Sequence, residues 1–93
     1  MTVLVIQEWE GTLDEYDQVG ERLDIENNPP EGMILHSGAD IGGGRLKAVD
    51  VWESEAAYRK FVQEKLIPAI AEVNPDAPQA DIQVHELHDL VKP

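Results

Sequence analysis

The 93-residue chain contains no cysteine. That excludes disulfides, thiolate zinc sites, iron–sulfur clusters and cysteine nucleophiles. Basic residues are scarce: 7 Lys and Arg stand against 19 Asp and Glu, a formal net charge of −12. Phosphate backbones and anionic membrane surfaces repel such a chain, so neither nucleic acid nor a membrane is an expected partner. The acidity itself reads as solubility. No apolar run approaches the ~20 residues of a membrane span. The start, Met1-Thr-Val-Leu-Val-Ile-Gln7, has no basic segment ahead of its apolar stretch. No signal peptide is expected there, and the expected location is the cytoplasm. Repeats and linkers are also missing.

The apolar share, 42%, is that of a globular protein, and the length allows one domain. A domain this small buries only ~60–70% of its unfolded surface, so oligomerisation is expected before any motif is read. Val3-Leu-Val-Ile6 reads as a strand buried on both faces, running on to Trp9. Thr12-Leu-Asp-Glu15 matches a capping box. Leu13, Tyr16, Gly20 and Leu23 follow at helical spacing, so a first helix is expected to about Ile25. Asn27-Asn-Pro-Pro-Glu-Gly32 ends it. Met33 to Ser37 is a second strand, Gly42-Gly-Gly44 a tight hairpin and Arg45 to Glu53 a third strand. Ser54 caps a second helix carrying Tyr58, Phe61, Val62, Leu66, Ala69, Ile70 and Val73 on one stripe. Pro68 should kink that helix or restart it. Asp81 to Leu87 alternates like a final strand.

The order β-α-β-β-α-β is the ferredoxin-like, split βαβ arrangement, an α+β fold with a four-stranded antiparallel sheet. Its helices cover one face of the sheet. The strands Val3–Ile6 and Val49–Trp52 do not alternate cleanly, so the other face also needs cover. A second copy packed sheet to sheet is the economical solution.

Lys47-Ala-Val-Asp-Val-Trp-Glu-Ser54 runs into Tyr58 and Phe61, with Gly42-Gly-Gly44 ahead of it and Leu66-Ile-Pro-Ala69 behind. In these features the chain resembles the dimeric α/β-barrel superfamily, especially its small members similar to antibiotic-biosynthesis monooxygenases. The resemblance implies a sheet-to-sheet homodimer. The superfamily includes cofactor-free monooxygenases, haem-degrading and chlorite-decomposing enzymes, lactone isomerases and polyketide cyclases. The chain departs from the haem branches, whose axial histidine comes from a helix. Here His36, His85 and His88 lie on expected strands or at the chain end. It departs too from the asparagine–tryptophan–histidine set of the quinone-forming monooxygenases, since Asn27, Asn28 and Asn74 fall in loops.

Asp50 stands between Val49 and Val51 in a strand that should be buried, and must be neutralised, hydrogen-bonded or paired. His36 stands in an equally apolar strand across the hairpin. A hairpin loop with an odd number of residues puts the two on one face; an even loop puts them on opposite faces. The odd register also sorts the neighbours better. Met33, Leu35, Val49 and Val51 then share one face, and Ile34, His36, Ala48, Asp50 and Trp52 the other. The expectation is a pocket in which Asp50 orients His36 for acid–base work on a phenolic or enolisable substrate. The alternative is a buried polar pair that only fixes register.

Gly20 in the helical stripe leaves either a ligand gap or close helix–strand packing. Trp52 and Tyr58, with Trp9 and Phe61, form an aromatic wall or ordinary core, and Ala48 leaves room beside them. His85 lines the sheet face with Gln83 or lies at the dimer seam. His85-Glu-Leu-His88 has metal-binding spacing only on a helix, so no metal is expected, nor any other cofactor. Asp14-Glu-Tyr-Asp17 reads as solvated helix surface, and Arg45 and Lys47 as solvated strand ends. The expected function is a small-molecule pocket protein of the cofactor-free monooxygenase or cyclase type, with a small apolar or aromatic ligand. A non-catalytic dimeric binding or interaction module is the rival.

Overall fold

In the computed structural model, which describes all 93 residues, the apolar run at the start forms β1, Val3–Glu10. Thr12 then caps α1, Leu13–Leu23, its hydroxyl accepting from the Glu15 amide at 3.2 Å. Glu15 accepts instead from the Asn74 side chain at 3.4 Å, so only one half of the capping box is closed. The helix ends at Leu23, two residues before the expected end. Asp24 adopts a left-handed φ of 48°, and its carboxylate accepts from the side-chain amides of Asn27 and Asn28.

β2 is Met33–Gly42 and β3 is Arg45–Trp52. Ser54 caps α2, Glu55–Phe61, accepting from the Ala57 amide at 3.1 Å. A π-helical turn, Val62–Leu66, follows, in which the Ile67 amide donates to the Val62 carbonyl. It leads into α3, Ile67–Val73, with Pro68 in the first turn. The backbone stays helical through both junctions, so the proline does not restart the helix; the wider π turn just before it accommodates the missing N–H. β4 is Asp81–Glu86. The sheet order is β2-β3-β1-β4, antiparallel throughout, which is the ferredoxin-like α+β arrangement. No helix is long and apolar enough to cross a membrane.

On the helix-facing side of the sheet, Val3, Val5 and Gln7 of β1 and Leu46, Ala48, Asp50 and Trp52 of β3 are all buried. Tyr58 and Phe61 of α2 close over Val3, Val5 and Trp52 to form the core. On the other side Leu4, Ile6 and Val49 are half-buried and Leu35 is 48% exposed.

The hairpin corrects the expected loop. Gly42 pairs with Arg45, so the turn has two residues, Gly43 and Gly44, with φ of 64° and 75°. Positive φ at both central positions is what a type I′ turn demands. A two-residue turn alone would send His36 and Asp50 to opposite faces. The register slips by one between Asp40 and Gly42, leaving Ile41 as a bulge that restores the odd parity. The Asp40 carboxylate secures it by accepting from the Gly42 amide at 2.8 Å. A second slip, at Ile34, moves Met33 opposite Trp52 and into the core, away from Leu35. The expected pairing of Met33 with Leu35, Val49 and Val51, and of Ile34 with His36, therefore fails.

Gly20 is also corrected. Tyr16, Val19 and Leu23 are the half-buried apolar positions of α1, beside Glu15 and Gln18; Leu13 is 50% exposed, and Gly20 is exposed. Nothing lies within 4 Å of where its Cβ would be, so Gly20 provides neither a ligand gap nor a close packing contact.

Candidate functional site

Asp50 is 2% exposed and lies directly across the β2–β3 ladder from His36. His36 Nδ1 meets Asp50 Oδ1 at 2.7 Å. The Trp52 indole N–H, which can only donate, reaches Asp50 Oδ2 at 3.3 Å. The carboxylate thus accepts at both oxygens, and Nδ1 carries the proton shared with Asp50. In the neutral ring the other nitrogen, Nε2, then has a free lone pair, and the Tyr16 hydroxyl sits 2.8 Å from it. Burial, then the charges of Asp50 and Asp17, push the Tyr16 phenol above its ordinary range. Tyr16 therefore keeps its proton and, facing an unprotonated Nε2, donates it to His36. The result is one hydrogen-bonded chain, Tyr16–His36–Asp50–Trp52, running from a half-buried phenol to a fully buried indole.

Sequence reasoning placed Tyr16 in an apolar stripe and missed its hydroxyl. Gly38 is the signal that could have found it. A Cβ at Gly38 would collide with the Tyr16 hydroxyl and stand 2.6 Å from its Cζ. Gly38 pairs with Ala48, so two small residues make the hollow that receives the phenol. A glycine on the inward face of a strand marks such a close approach. Trp9 also belongs here: its ring stacks on Tyr16 with centroids 6.1 Å apart, and Tyr16 in turn lies nearly parallel to the His36 ring at 6.3 Å.

The remaining candidates divide. Trp52 and Tyr58 are 0% exposed and meet edge to face at 5.8 Å, so they form the floor beneath Asp50 rather than an open wall. Tyr58 donates to Gln7 Oε1 at 3.1 Å. Burial pushes its phenol up to about 12, against the pull of Arg59 and with help from Asp50. His85 is paired with Leu4, and so lies on the opposite side of the sheet from His36, bonded to Gln83 at 3.1 Å. An open groove of about 790 Å³ runs between the end of α1 and the α2–α3 segment, lined by Arg22, Lys60, Phe61 and Lys65 among others. A smaller one, about 330 Å³, lies at Met1, Val3 and Val84. Neither borders His36.

No family profile matches the chain, and no curated protein is significantly similar to it in sequence. Its fold is that of the antibiotic biosynthesis monooxygenase-like proteins. SnoaB, a cofactor-independent oxygenase from Streptomyces nogalater, superposes with a TM-score of 0.70 at 14% identity, covering 99% of this chain and 98% of SnoaB. An antibiotic biosynthesis monooxygenase-like protein from Deinococcus radiodurans gives 0.68 at 12% identity, over 98% and 97% of the two chains. A protein of unknown function from Nitrosomonas europaea gives 0.75 at 14% identity, over 99% and 94%. At these identities the likeness is one of fold, and chemistry has to be argued from the site.

Gly38→Ala is expected to cost about 1–3 kcal/mol, as overpacking does, but little in a Tyr16→Ala background. Urea denaturation of the four proteins in that cycle measures the coupling; equal costs in both backgrounds would mean that Gly38 does not serve Tyr16. The raised Tyr58 phenol predicts a pH dependence. The folded protein holds its proton where the unfolded chain, at the ordinary 10.0, has lost it. Stability is therefore full below pH 10 and falls as the pH rises through 12, with Tyr16 acting in the same direction. Urea midpoints that stay level across that window would contradict the assignment.

Proposed function

We propose that the chain is a small-molecule pocket protein that carries out cofactor-free acid–base chemistry on an enolisable or phenolic compound. The observation that carries this is the unbroken chain from Tyr16 through His36 to a buried Asp50. A substrate beside Tyr16 Oη passes a proton to that oxygen while the phenolic proton moves to His36 Nε2. Asp50 steadies the imidazolium that results, and the reverse transfer returns the proton. His36 is the acid–base group, Tyr16 its contact with substrate and Asp50 its orienter. A positioned proton acceptor of this kind is typically worth ~10²–10⁴-fold in rate. The likeness to a cofactor-independent oxygenase supports the reading at the level of fold alone.

A second reading, a non-catalytic ligand-binding or interaction module, is favoured by one observation: both nitrogens of His36 are already bonded, and neither groove reaches it. Thermal-shift screening against quinones, polyketide-like phenols and short acyl compounds separates the two. A ligand of the site raises the melting temperature of the wild type and not of His36→Ala. Exchange of its acidic proton for deuterium, followed by NMR, should fall ~10²–10⁴-fold in Tyr16→Phe. Equal stabilisation of wild type and His36→Ala would remove His36 from the site. Binding without exchange would establish the module.

We further propose that the working form is a cytoplasmic homodimer. The side of the sheet away from the helices presents Leu4, Ile6, Val49 and Leu35 with no element of the chain to cover them, and an identical sheet face fits that need. Sedimentation equilibrium should give a dimer that Leu35→Glu and Val49→Glu shift toward monomer. A monomeric wild type at working concentration would overturn the assembly.

A further inference from the structure

The two tyrosines of the chain both donate a hydrogen bond, but to different kinds of partner. Tyr58 donates to the amide oxygen of Gln7, which is no base at neutral pH. Tyr16 donates to an imidazole nitrogen, which is. The difference matters for loss of an electron. A phenol stripped of one electron becomes a strong acid, so its oxidation is easy only where a proton acceptor already touches the hydroxyl. His36 is that acceptor, and Asp50 at 2.7 Å compensates the positive charge it would gain. Trp9, half-buried and stacked on Tyr16 at 6.1 Å, offers a second π-system through which an electron can leave.

We infer that Tyr16 is a proton-coupled one-electron donor to diffusible outer-sphere oxidants. In the step the Tyr16 O–H bond breaks and an N–H bond forms at His36 Nε2. One electron passes to the oxidant, directly or by way of Trp9. Tyr16 is oxidised to a neutral phenoxyl radical. The oxidant, such as a metal(III) complex, is reduced by one electron to the metal(II) state, and the proton stays on His36 Nε2. Tyr58 stays reduced because its hydroxyl touches no base. The inference rests on the same Tyr16–His36 hydrogen bond as the proposed function but needs no bound substrate, so the radical can form even where no substrate is found.

Photogenerated tris(bipyridine)ruthenium(III) is a suitable probe, a cation that a chain of net charge −12 attracts. The wild type should give the EPR signal of a neutral tyrosyl radical, marked by incorporation of ring-deuterated tyrosine. The signal should persist in Tyr58→Phe and vanish in Tyr16→Phe. It should form more slowly in D2O, and its rate should drop by about 10²-fold in His36→Gln, the low end of what a positioned proton acceptor contributes. A tyrosyl radical that survives in Tyr16→Phe, or one that forms equally fast in folded His36→Gln, overturns the proposal. Should His36→Gln not fold, Tyr16→Phe, which loses one hydroxyl, and the D2O comparison still decide it.

Discussion

Asp50 stands in the middle of a four-stranded sheet, on the face the helices cover, with almost none of its surface in contact with water. A carboxylate in that position is costly unless donors replace its hydration. Two do, the Trp52 indole from its own strand and the His36 ring from the next. The arrangement binds the hairpin to one register. A slip of one residue would carry His36 to the other side of the sheet and leave one carboxylate oxygen without a donor. The bulge at Ile41, the glycine turn and the hollow at Gly38 all serve that register, and the phenol of Tyr16 can reach His36 only because of it.

Much of this was legible before the structure. Apolar runs, caps and prolines located every element, and Asp50 between two valines announced a buried polar group seeking a partner. His36 was found by parity, though by the wrong route. Three glycines suggest a three-residue loop, whereas two form the turn and a bulge supplies the odd residue. Bulges leave little trace in composition, and the one at Ile34 misplaced Met33 for the same reason. The phase of α1 was misjudged because Leu13 and Gly20 satisfy helical spacing as well as Val19 does, and only packing chooses between them. Gly38 escaped notice because the expected strand ended at Ser37, and with Gly38 went the one clue to the hydroxyl of Tyr16. His85, expected beside Gln83 on the sheet face or at the dimer seam, does bond to Gln83, and its pairing with Leu4 turns it away from His36.

Trp52 and Tyr58 show how a buried aromatic takes its work from its surroundings. Both are fully buried, and each uses its polar atom to satisfy a neighbour: the indole serves Asp50 and the phenol serves Gln7. No buried side-chain nitrogen or oxygen is left without a partner. The polar atoms of the core therefore rigidify it, Asp50 among them as the fixed partner behind His36. Tyr16 differs in lying at the rim. Its hydroxyl touches a group that can take a proton, and its ring is only half covered.

The placement of α1 explains why reactivity collects at this rim. No residue of the helix is fully buried, and its acidic face is turned to water. Its hold on the sheet near the site comes through Tyr16, which spans from the helix to His36 and stacks on Trp9 of β1. A contact that fastens a helix with one hydroxyl is weaker than the apolar packing of α2, where Tyr58 and Phe61 are sealed against Trp52. Elements with few buried apolar contacts open at lower free energy than the core around them. The imidazole is thus held rigidly from behind by Asp50 and covered from in front by a lightly anchored side chain. Its two nitrogens, although chemically alike, meet a fixed partner on one side and an exchangeable one on the other.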